Sequence, residues 1–96
     1  MVTRPALVVS VRGVGANASL AWVLMITNAA REAWPGDILV EDSLDLGLII
    51  SSTIRCAKMS AIEIGSATRL SRLSDKTLAA VRAELAATLG LNLPPA

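Results

Sequence analysis

Short apolar segments separated by turn residues fill the first two-thirds of the chain. Residues 5–11 are rich in β-branched side chains, which predicts a first strand, and Asn17 lies in the turn that follows. Residues 20–27 predict a second strand that is apolar on both faces rather than alternating. Such a strand needs cover on both sides, from a second layer of this chain or from a partner chain.

The middle of the chain continues the series of short strands. Trp34, Pro35 and Gly36 predict a turn. Residues 37–41 predict a third strand, residues 47–55 a fourth and residues 60–64 a fifth. Strands this close together, joined by short loops, predict a small antiparallel barrel or a strongly bent sheet.

The last segment has the pattern of a helix over residues 75–89. Ser74 is a favourable N-cap residue, and Gly90 is a favourable C-terminal stop. Apolar residues at spacings of three and four form one stripe that predicts docking on the sheet: Leu78, Val81, Leu85 and Leu89. The expected fold class is therefore mainly β with a C-terminal helix.

Length and composition restrict the chemistry. A chain of 96 residues fits a single domain spanning residues 1–96. With no histidine and with Cys56 alone, no imidazole base, disulfide or cysteine metal cluster is available, so neither a metal nor another cofactor is expected. Cys56 is expected to be a buried structural thiol in a reducing, cytoplasmic setting. The longest apolar run has seven residues, against about 20 for a membrane span, so no membrane association is expected.

The charges balance in total but not along the chain. The net charge is +1. Acidic residues cluster between positions 32 and 45, and basic residues precede and follow them. This distribution suits an anionic ligand, although surfaces of both signs are also common.

Arginine and hydroxyl groups suffice for one reaction class. Cleavage of RNA by its own 2′-hydroxyl requires no protein nucleophile and no metal. It requires alignment of that oxygen with the phosphate and stabilisation of the developing charge. An arginine fork matches phosphate oxygens, and a threonine hydroxyl on a rigid strand can position the reacting groups.

Four segments, in order, resemble the MazF/PemK toxins. Residues 4–10 (RPALVVS) are similar to a signature strand of that family, and residues 22–28 (WVLMITN) to the strand that follows and ends in a hydroxyl residue. Residues 47–55 (GLIISSTIR) resemble a strand that leads into a short basic turn. Residues 70–91, beginning LSRLSD, resemble the ending that closes many of these toxins.

The resemblance implies a small SH3-like barrel of the CcdB/MazF type with a C-terminal helix. It also implies a homodimer, neutralised by a cognate antitoxin, that cuts single-stranded mRNA without metal and inhibits growth. Position by position, Arg4 and Thr27 match the catalytic residues of the family. The RNA-binding candidates are Asn28, Ser52, Thr53 and Arg55, with Trp34 as a candidate for base stacking.

Simpler explanations exist for the same residues. Arg4 can be a solvated charge, and Thr27 a hydroxyl at a strand end. Arg55 can pair with Glu41 or Glu63, and Trp34 can pack on its own turn.

Alternatives also remain at the level of the whole chain. The opening strand usual in the family has no counterpart before Arg4, so the barrel is expected to lack its first strand. The alternative functions are a CcdB-like toxin that poisons gyrase and a truncated, catalytically inactive homologue that binds antitoxin.

Overall fold

The fold is a curled antiparallel sheet that forms a half-barrel, with one helix packed against it. The computed structural model of the chain describes residues 4–41, 43, 45–48 and 50–91. The elements in chain order are the strands β1 (Ala6–Val8), β2 (Leu20–Asn28), β3 (Asp37–Val40) and β4 (Ser52–Glu63) and the helix α1 (Asp75–Leu89). Single 3₁₀ turns occupy Ala16–Ala18 and Ile64–Ser66.

The four strands lie in the order β1-β2-β4-β3, and every pair is antiparallel. Leu24 of β2 pairs with Met59 of β4, but its neighbour Met25 pairs with Arg55. Three residues of β4, 56–58, therefore oppose no residue of β2, and a bulge of this kind bends a strand and increases its twist.

The core lies between the concave face of the sheet and α1. It is built from Leu24, Val40, Leu48, Ile54 and Val81, together with the thiol of Cys56. Burial, followed by the charges of Glu84 and Asp37, raises the pKa of the Cys56 thiol. The expectation of a buried structural cysteine agrees with this position.

Both faces of β2 are covered at its centre. Val23 and Leu24 point to opposite faces of the sheet, and both are 0% exposed. The cover for these two residues comes from the chain itself, so the second layer expected from the sequence is present at this point. Within the described ranges, no helix is both long and apolar enough to span a membrane.

The predicted helix is confirmed with the same bounds. The Ser74 hydroxyl accepts a hydrogen bond from the Thr77 N–H at 3.2 Å, which caps the first turn. Gly90 adopts a left-handed conformation with φ 71°, and the Leu91 N–H closes the helix end by donating to the Ala86 carbonyl at 2.8 Å.

The apolar stripe of the helix docks only in part. Val81 is buried in the core, and Leu85 packs against it. Leu89, at the end of the stripe, is exposed. The helix therefore meets the sheet mainly through its middle turns.

The predicted start of the fourth strand at Gly47 and its separation from a fifth strand at residues 60–64 were wrong, although residues 52–55 and 60–63 do lie in a strand. Gly47 has φ 85°, and the Leu48 N–H donates to the Ser43 carbonyl at 2.9 Å, so these residues belong to a turn that buries Leu48; Ile49 lies outside the described residues. The strand begins later, at Ser52, and continues without a break to Glu63, so residues 60–64 are not a separate element. Polar side chains inside β4 gave it the pattern of two short strands. The predicted turn at residues 42–45 includes Asp42 and Leu44, which lie outside the described residues.

Candidate active site

Three of the candidate residues lie in one row across the sheet. Thr27 of β2 pairs directly with Thr53 of β4. The ladder between β1 and β2 continues past β1, because the Ile26 N–H donates to the Pro5 carbonyl at 3.3 Å. Extending this register by one more residue places Arg4 opposite Thr27. Directly opposed residues in antiparallel strands have Cβ atoms about 4.5–5.5 Å apart, so these three positions are neighbours.

The row lies on the face of the sheet opposite the core. Ile26 and Ile54 form the neighbouring pair, and they point into the core. Because side chains alternate along a strand, Thr27 and Thr53 point the other way. Arg4 is exposed, Thr27 is half-buried and Thr53 is buried.

A cavity of about 200 Å³ opens beside this row, at the ends of β2 and β3. We call it the strand-end cavity. Its polar and charged lining comes from Asn28, Arg31, Asp37, Thr53 and Arg55. Two basic groups, one carboxylate and two neutral polar groups thus surround a space that is open to solvent.

The loop of residues 29–36 forms one wall of the cavity, and hydrogen bonds fix its start. The Asn28 side-chain oxygen accepts from the Ala30 N–H at 2.8 Å, and the Asn28 carbonyl accepts from the Arg31 N–H at 3.1 Å. The Ala29 N–H donates to the Ser51 carbonyl at 2.9 Å. Asn28 therefore has a local structural role in addition to lining the cavity.

A tight turn fixes the other end of the loop. The Asp37 N–H donates to the Trp34 carbonyl at 3.1 Å, and the Trp34 N–H donates to the Asp37 carboxylate at 2.9 Å. Pro35 and Gly36 lie between them, and Gly36 has φ 88°. Proline followed by a residue of positive φ is the sequence of a type II turn, in which glycine avoids the steric cost. The predicted turn is confirmed.

Arg55 holds this turn against the sheet. Its Nε and Nη2 donate to the two Asp37 carboxylate oxygens at 3.3 and 3.0 Å, and Nη2 also donates to the Glu32 carbonyl at 2.7 Å. Its Cζ lies 4.0 Å from the centroid of the Trp34 ring, a cation–π contact. We call Arg55, Asp37 and Trp34 the clamp. Arg55 does pair with an acidic residue, as the simpler explanation expected, but the partner is neither Glu41 nor Glu63. It is Asp37, which lies directly opposite Arg55 in the β3–β4 register.

The clamp also sets the ionisation of its carboxylate. Burial alone would raise the pKa of Asp37. Hydrogen bonds from Arg55 and from the Trp34 N–H, together with the charge of Arg55, outweigh burial and hold the pKa below its ordinary value. The carboxylate is therefore ionised at neutral pH and neutralises Arg55.

The structure brings most of the predicted site residues together. One row across the sheet contains Arg4, Thr27 and Thr53. The cavity lining includes Asn28, Thr53 and Arg55. The ring of Trp34 stacks on the Arg55 guanidinium. Ser52 is turned to the core side of β4 instead. It is 3% exposed, and its hydroxyl donates to the Ile50 carbonyl at 2.8 Å.

Two residues of the site were not predicted from the sequence. Arg31 lines the cavity, and its signal was its place in the loop that directly follows Thr27 and Asn28. Asp37 was assigned to a strand, but it is also the residue that directly follows the Pro-Gly turn. Among the described residues, no cluster of carboxylates and thiols has the arrangement needed to hold a metal ion.

Comparisons with solved structures place this architecture among toxins. The crystal structure of MazE-MazF (Form-III) from Deinococcus radiodurans has a TM-score of 0.70 and 26% identity, covering 93% of this chain and 87% of that chain. The toxin MazF-mt6 from Mycobacterium tuberculosis has a TM-score of 0.74 and 19% identity, covering 94% and 89%. An endoribonuclease in complex with its cognate antitoxin, from Mycobacterial species, has a TM-score of 0.67 and 18% identity, covering 95% and 84%. The last two, at their lower identity, show the fold alone.

A comparison with curated protein sequences finds no match. A family model described as PemK-like, MazF-like toxin of type II toxin–antitoxin system matches residues 2–89, which is most of the chain. Together with the half-barrel and its C-terminal helix, this match settles the family: the chain belongs to the PemK-like, MazF-like toxins of type II toxin–antitoxin systems.

Proposed function

We propose that this chain is an endoribonuclease toxin that cuts single-stranded mRNA by attack of the 2′-hydroxyl on the adjacent phosphate, without a metal. Toxins of the MazF family are in general endoribonucleases. The observation that carries the proposal for this chain is the row of Arg4, Thr27 and Thr53 on one face of three neighbouring strands. A rigid sheet holds such groups in a fixed geometry, which is the main requirement for this reaction.

The proposed reaction is a transesterification. The 2′-oxygen loses its proton and forms a bond to phosphorus, the bond from phosphorus to the 5′-oxygen breaks, and that oxygen gains a proton. The products are a cyclic phosphate and a 5′-hydroxyl. Arg4 stabilises the negative charge that develops on the phosphorane oxygens, since an arginine fork matches two such oxygens. Thr27 positions the phosphate or the 2′-hydroxyl.

The strand-end cavity adjoins this row and supports an RNA site there. The cavity is lined by Asn28, Thr53 and Arg55, and Trp34 belongs to the loop that forms one wall of it. The Trp34 ring is 42% exposed while Arg55 contacts it, which leaves aromatic surface for a base. Ser52 is not part of the proposed RNA site, because its hydroxyl is buried and hydrogen-bonded on the core side.

We also propose that the toxin forms a homodimer, is neutralised by a cognate antitoxin and acts in the cytoplasm. Membership of a type II toxin–antitoxin family supports the antitoxin. An apolar cavity of about 190 Å³, lined by Val8, Val11 and Ile64 among others, supports a subunit interface. Val11 is 94% exposed in the single chain.

The test is cleavage of a mixed-sequence RNA in EDTA by the wild type, Arg4→Ala and Thr27→Ala. We expect the wild type to cut and both variants to lose cutting. Arg82→Ala and Thr88→Ala, exposed substitutions on α1, are matched controls that should retain it. The downstream fragments should accept phosphate from polynucleotide kinase without prior phosphatase treatment, because they begin with a 5′-hydroxyl.

Other results would contradict the proposal in distinct ways. Intact RNA with growth arrest in cells would indicate the gyrase-poisoning alternative. Intact RNA with antitoxin binding and no arrest would indicate an inactive homologue. Cutting that disappears in EDTA and returns with Mg²⁺ would contradict the proposed mechanism while leaving a nuclease.

A further inference from the structure

The strand-end cavity contains two arginines whose electrostatic situations differ. Arg55 is 9% exposed and is neutralised by Asp37 at 3.0 Å. Arg31 is exposed, and among the described residues no carboxylate lies within ion-pair distance of it. The carboxylate that lines the cavity is thus already committed to Arg55. Arg31 supplies the net positive charge of the cavity.

Arg31 is also held at a fixed place in the loop. On one side, its N–H donates to the Asn28 carbonyl at 3.1 Å, at the end of β2. On the other side, Glu32 directly follows Arg31 in the chain, and its carbonyl accepts a hydrogen bond from Arg55 Nη2 at 2.7 Å. The backbone that carries Arg31 is therefore tied to β2 and β4, while its long side chain remains in solvent.

From this arrangement we propose that Arg31 binds a backbone phosphate of the RNA in the strand-end cavity, and that Arg55, with Trp34 and Asp37, is a positioning group that holds Arg31 there. This inference rests on the proposed function, since it names a further contact of the same substrate. Arg55 then acts through the loop rather than through direct contact with RNA. Three hydrogen bonds from Nε and Nη2 already engage one edge of this guanidinium, its face lies on the Trp34 ring, and Asp37 neutralises its charge, so its attraction for a phosphate is reduced.

Arg31 is suited to a phosphate by its chemistry and its location. The guanidinium presents a planar fork of donors that matches two phosphate oxygens, and among the described residues no carboxylate forms an ion pair with it. Thr53 belongs both to the row with Thr27 and to the cavity lining with Arg31, so an RNA strand with one phosphate at the row would place a neighbouring phosphate at the cavity. Contacts of this kind increase affinity without altering the reacting atoms.

The first experiment measures binding of a short, mixed-sequence 2′-O-methyl RNA, which cannot be cleaved because the attacking oxygen is blocked. Fluorescence anisotropy at several salt concentrations gives the affinity and its salt dependence. We expect Arg31→Ala to weaken binding about tenfold, the range for one charged hydrogen-bonding contact. We expect the slope of log K against log salt to become shallower by about 0.7, the value for one phosphate contact on a single strand.

Two further variants control this measurement. Arg31→Lys should retain the salt slope of the wild type but lose part of the affinity, because it keeps the charge without the fork. Arg82→Ala removes an exposed arginine from α1, outside the cavity lining, and should change neither quantity. In cleavage assays, Arg31→Ala should raise KM about tenfold and leave kcat within about twofold, as expected for a contact made equally in ground and transition states.

The positioning role is tested by a double-mutant cycle between Trp34 and Arg31. Trp34→Ala should weaken RNA binding, and Trp34→Phe should restore most of it, because an aromatic ring is again available to Arg55. Adding Trp34→Ala to Arg31→Ala should cost less than Trp34→Ala costs in the wild type, since part of its effect acts through Arg31. Thermal unfolding of each variant, measured alongside, identifies any loss that is due to unfolding.

The outcomes separate this inference from the proposed function. Wild-type protein that cuts RNA, with Arg31→Ala unchanged in affinity, salt slope and KM, would overturn the role of Arg31 and leave the nuclease. Effects of Trp34→Ala and Arg31→Ala that are fully additive would overturn the positioning role. A wild type that neither cuts nor binds RNA would overturn the proposed function, and this inference with it.

Discussion

The guanidinium of Arg55 stacks on the ring of Trp34, with its Cζ atom 4.0 Å from the ring centroid. The two residues are 21 positions apart, and Trp34 is in a loop while Arg55 is near the start of β4. The same guanidinium binds Asp37, which closes the turn that follows Trp34. One side chain therefore connects the wall of the strand-end cavity to the rigid sheet, and the predictions below test that connection.

Removing the charge of Asp37 should destabilise the fold. Asp37→Asn retains an oxygen that can accept from the Trp34 N–H, but it breaks the ion pair with Arg55. We expect the free energy of unfolding to fall by about 1.5–3 kcal/mol, the range for a hydrogen bond to a charged group. Chemical denaturation, followed by the far-UV signal, measures this change.

Asp37→Ala is the matched comparison. It removes the acceptor for the Trp34 N–H as well as the partner of Arg55, so its cost should exceed that of Asp37→Asn. If the wild type and Asp37→Asn have the same free energy of unfolding, the ion pair makes no net contribution to stability.

The same carboxylate should make stability depend on pH in acid. The pKa of Asp37 lies below its ordinary value of 3.8 in the folded protein, because the Arg55 and Trp34 hydrogen bonds outweigh burial. A carboxyl with a lowered folded pKa contributes stability that is fully present above 3.8 and is lost as the pH falls through the folded pKa. Unfolding measured from neutral pH into this acid range should show the loss.

Asp37→Asn should be less sensitive to acid over the same range. The variant is less stable at neutral pH, and the gap between it and the wild type should narrow as the pH falls. A gap that stays constant would contradict the lowered pKa.

Gly36 should be hard to replace for two reasons. Its φ of 88° is unfavourable for any residue with a Cβ, and this is the main cost; a Cβ here would also lie 2.7 Å from Glu84 Oε1, the end of a flexible side chain that would have to shift. The left-handed conformation alone costs about 1–2 kcal/mol for an L-residue. We expect Gly36→Ala to lower stability by about that amount and to weaken RNA binding by loosening the turn. Thermal unfolding and anisotropy measure the two effects.

Gly65 provides the control for this substitution. It lies in the 3₁₀ turn after β4, its φ is not positive, and a Cβ built on it meets no atom within 4 Å. Gly65→Ala should leave both stability and binding unchanged. If the two variants behave alike, the conformation of Gly36 does not matter to the site.

How much of this molecule the sequence predicts depends on the range of the interactions. The helix was predicted residue by residue, because its cap at Ser74, its stop at Gly90 and its spacing are local features. The start of the fourth strand was misplaced because Leu48 looked like a strand residue. It is apolar because it packs into the core from a turn, which the local sequence pattern does not show. Apolar residues in a turn and polar residues in a strand both reflect tertiary packing.

The site shows the same division. Arg4 and Thr27 were predicted as catalytic residues through resemblance, and that role stays a prediction; their adjacency follows from the strand register, which no local pattern gives. For Arg55, acidic neighbours were expected as partners, but the register selected Asp37, 18 residues away. Arg31 was not predicted because the role proposed for it depends on which carboxylate Arg55 neutralises, and that pairing exists only in the folded chain.

The hydroxyl of Thr27, rather than its shape, should determine activity. Thr27→Val is nearly isosteric and suits a strand, so the row and the pairing with Thr53 should persist. If Thr27 positions the phosphate or the 2′-hydroxyl, its loss should lower kcat by about 100-fold or more, as for other positioned polar groups in active sites. Thr27→Ser should keep most of the rate. Single-turnover cleavage measures the effect, and a Val variant as fast as the wild type would exclude the role.

Fluorescence can report directly on whether a base stacks on Trp34. The chain has two tryptophans and no tyrosine, so Trp22→Phe leaves Trp34 as the single tryptophan reporter. Trp34 is 42% exposed although Arg55 contacts it, and stacking of a base on its remaining surface should quench its emission when RNA binds.

Trp34→Phe is the control. It leaves Trp22, which lies five positions before Thr27 on β2, and the emission of Trp22 should change little. Anisotropy of labelled 2′-O-methyl RNA confirms binding in both variants. Unchanged emission from Trp34 in a complex that anisotropy shows to be formed would assign that residue to the clamp alone.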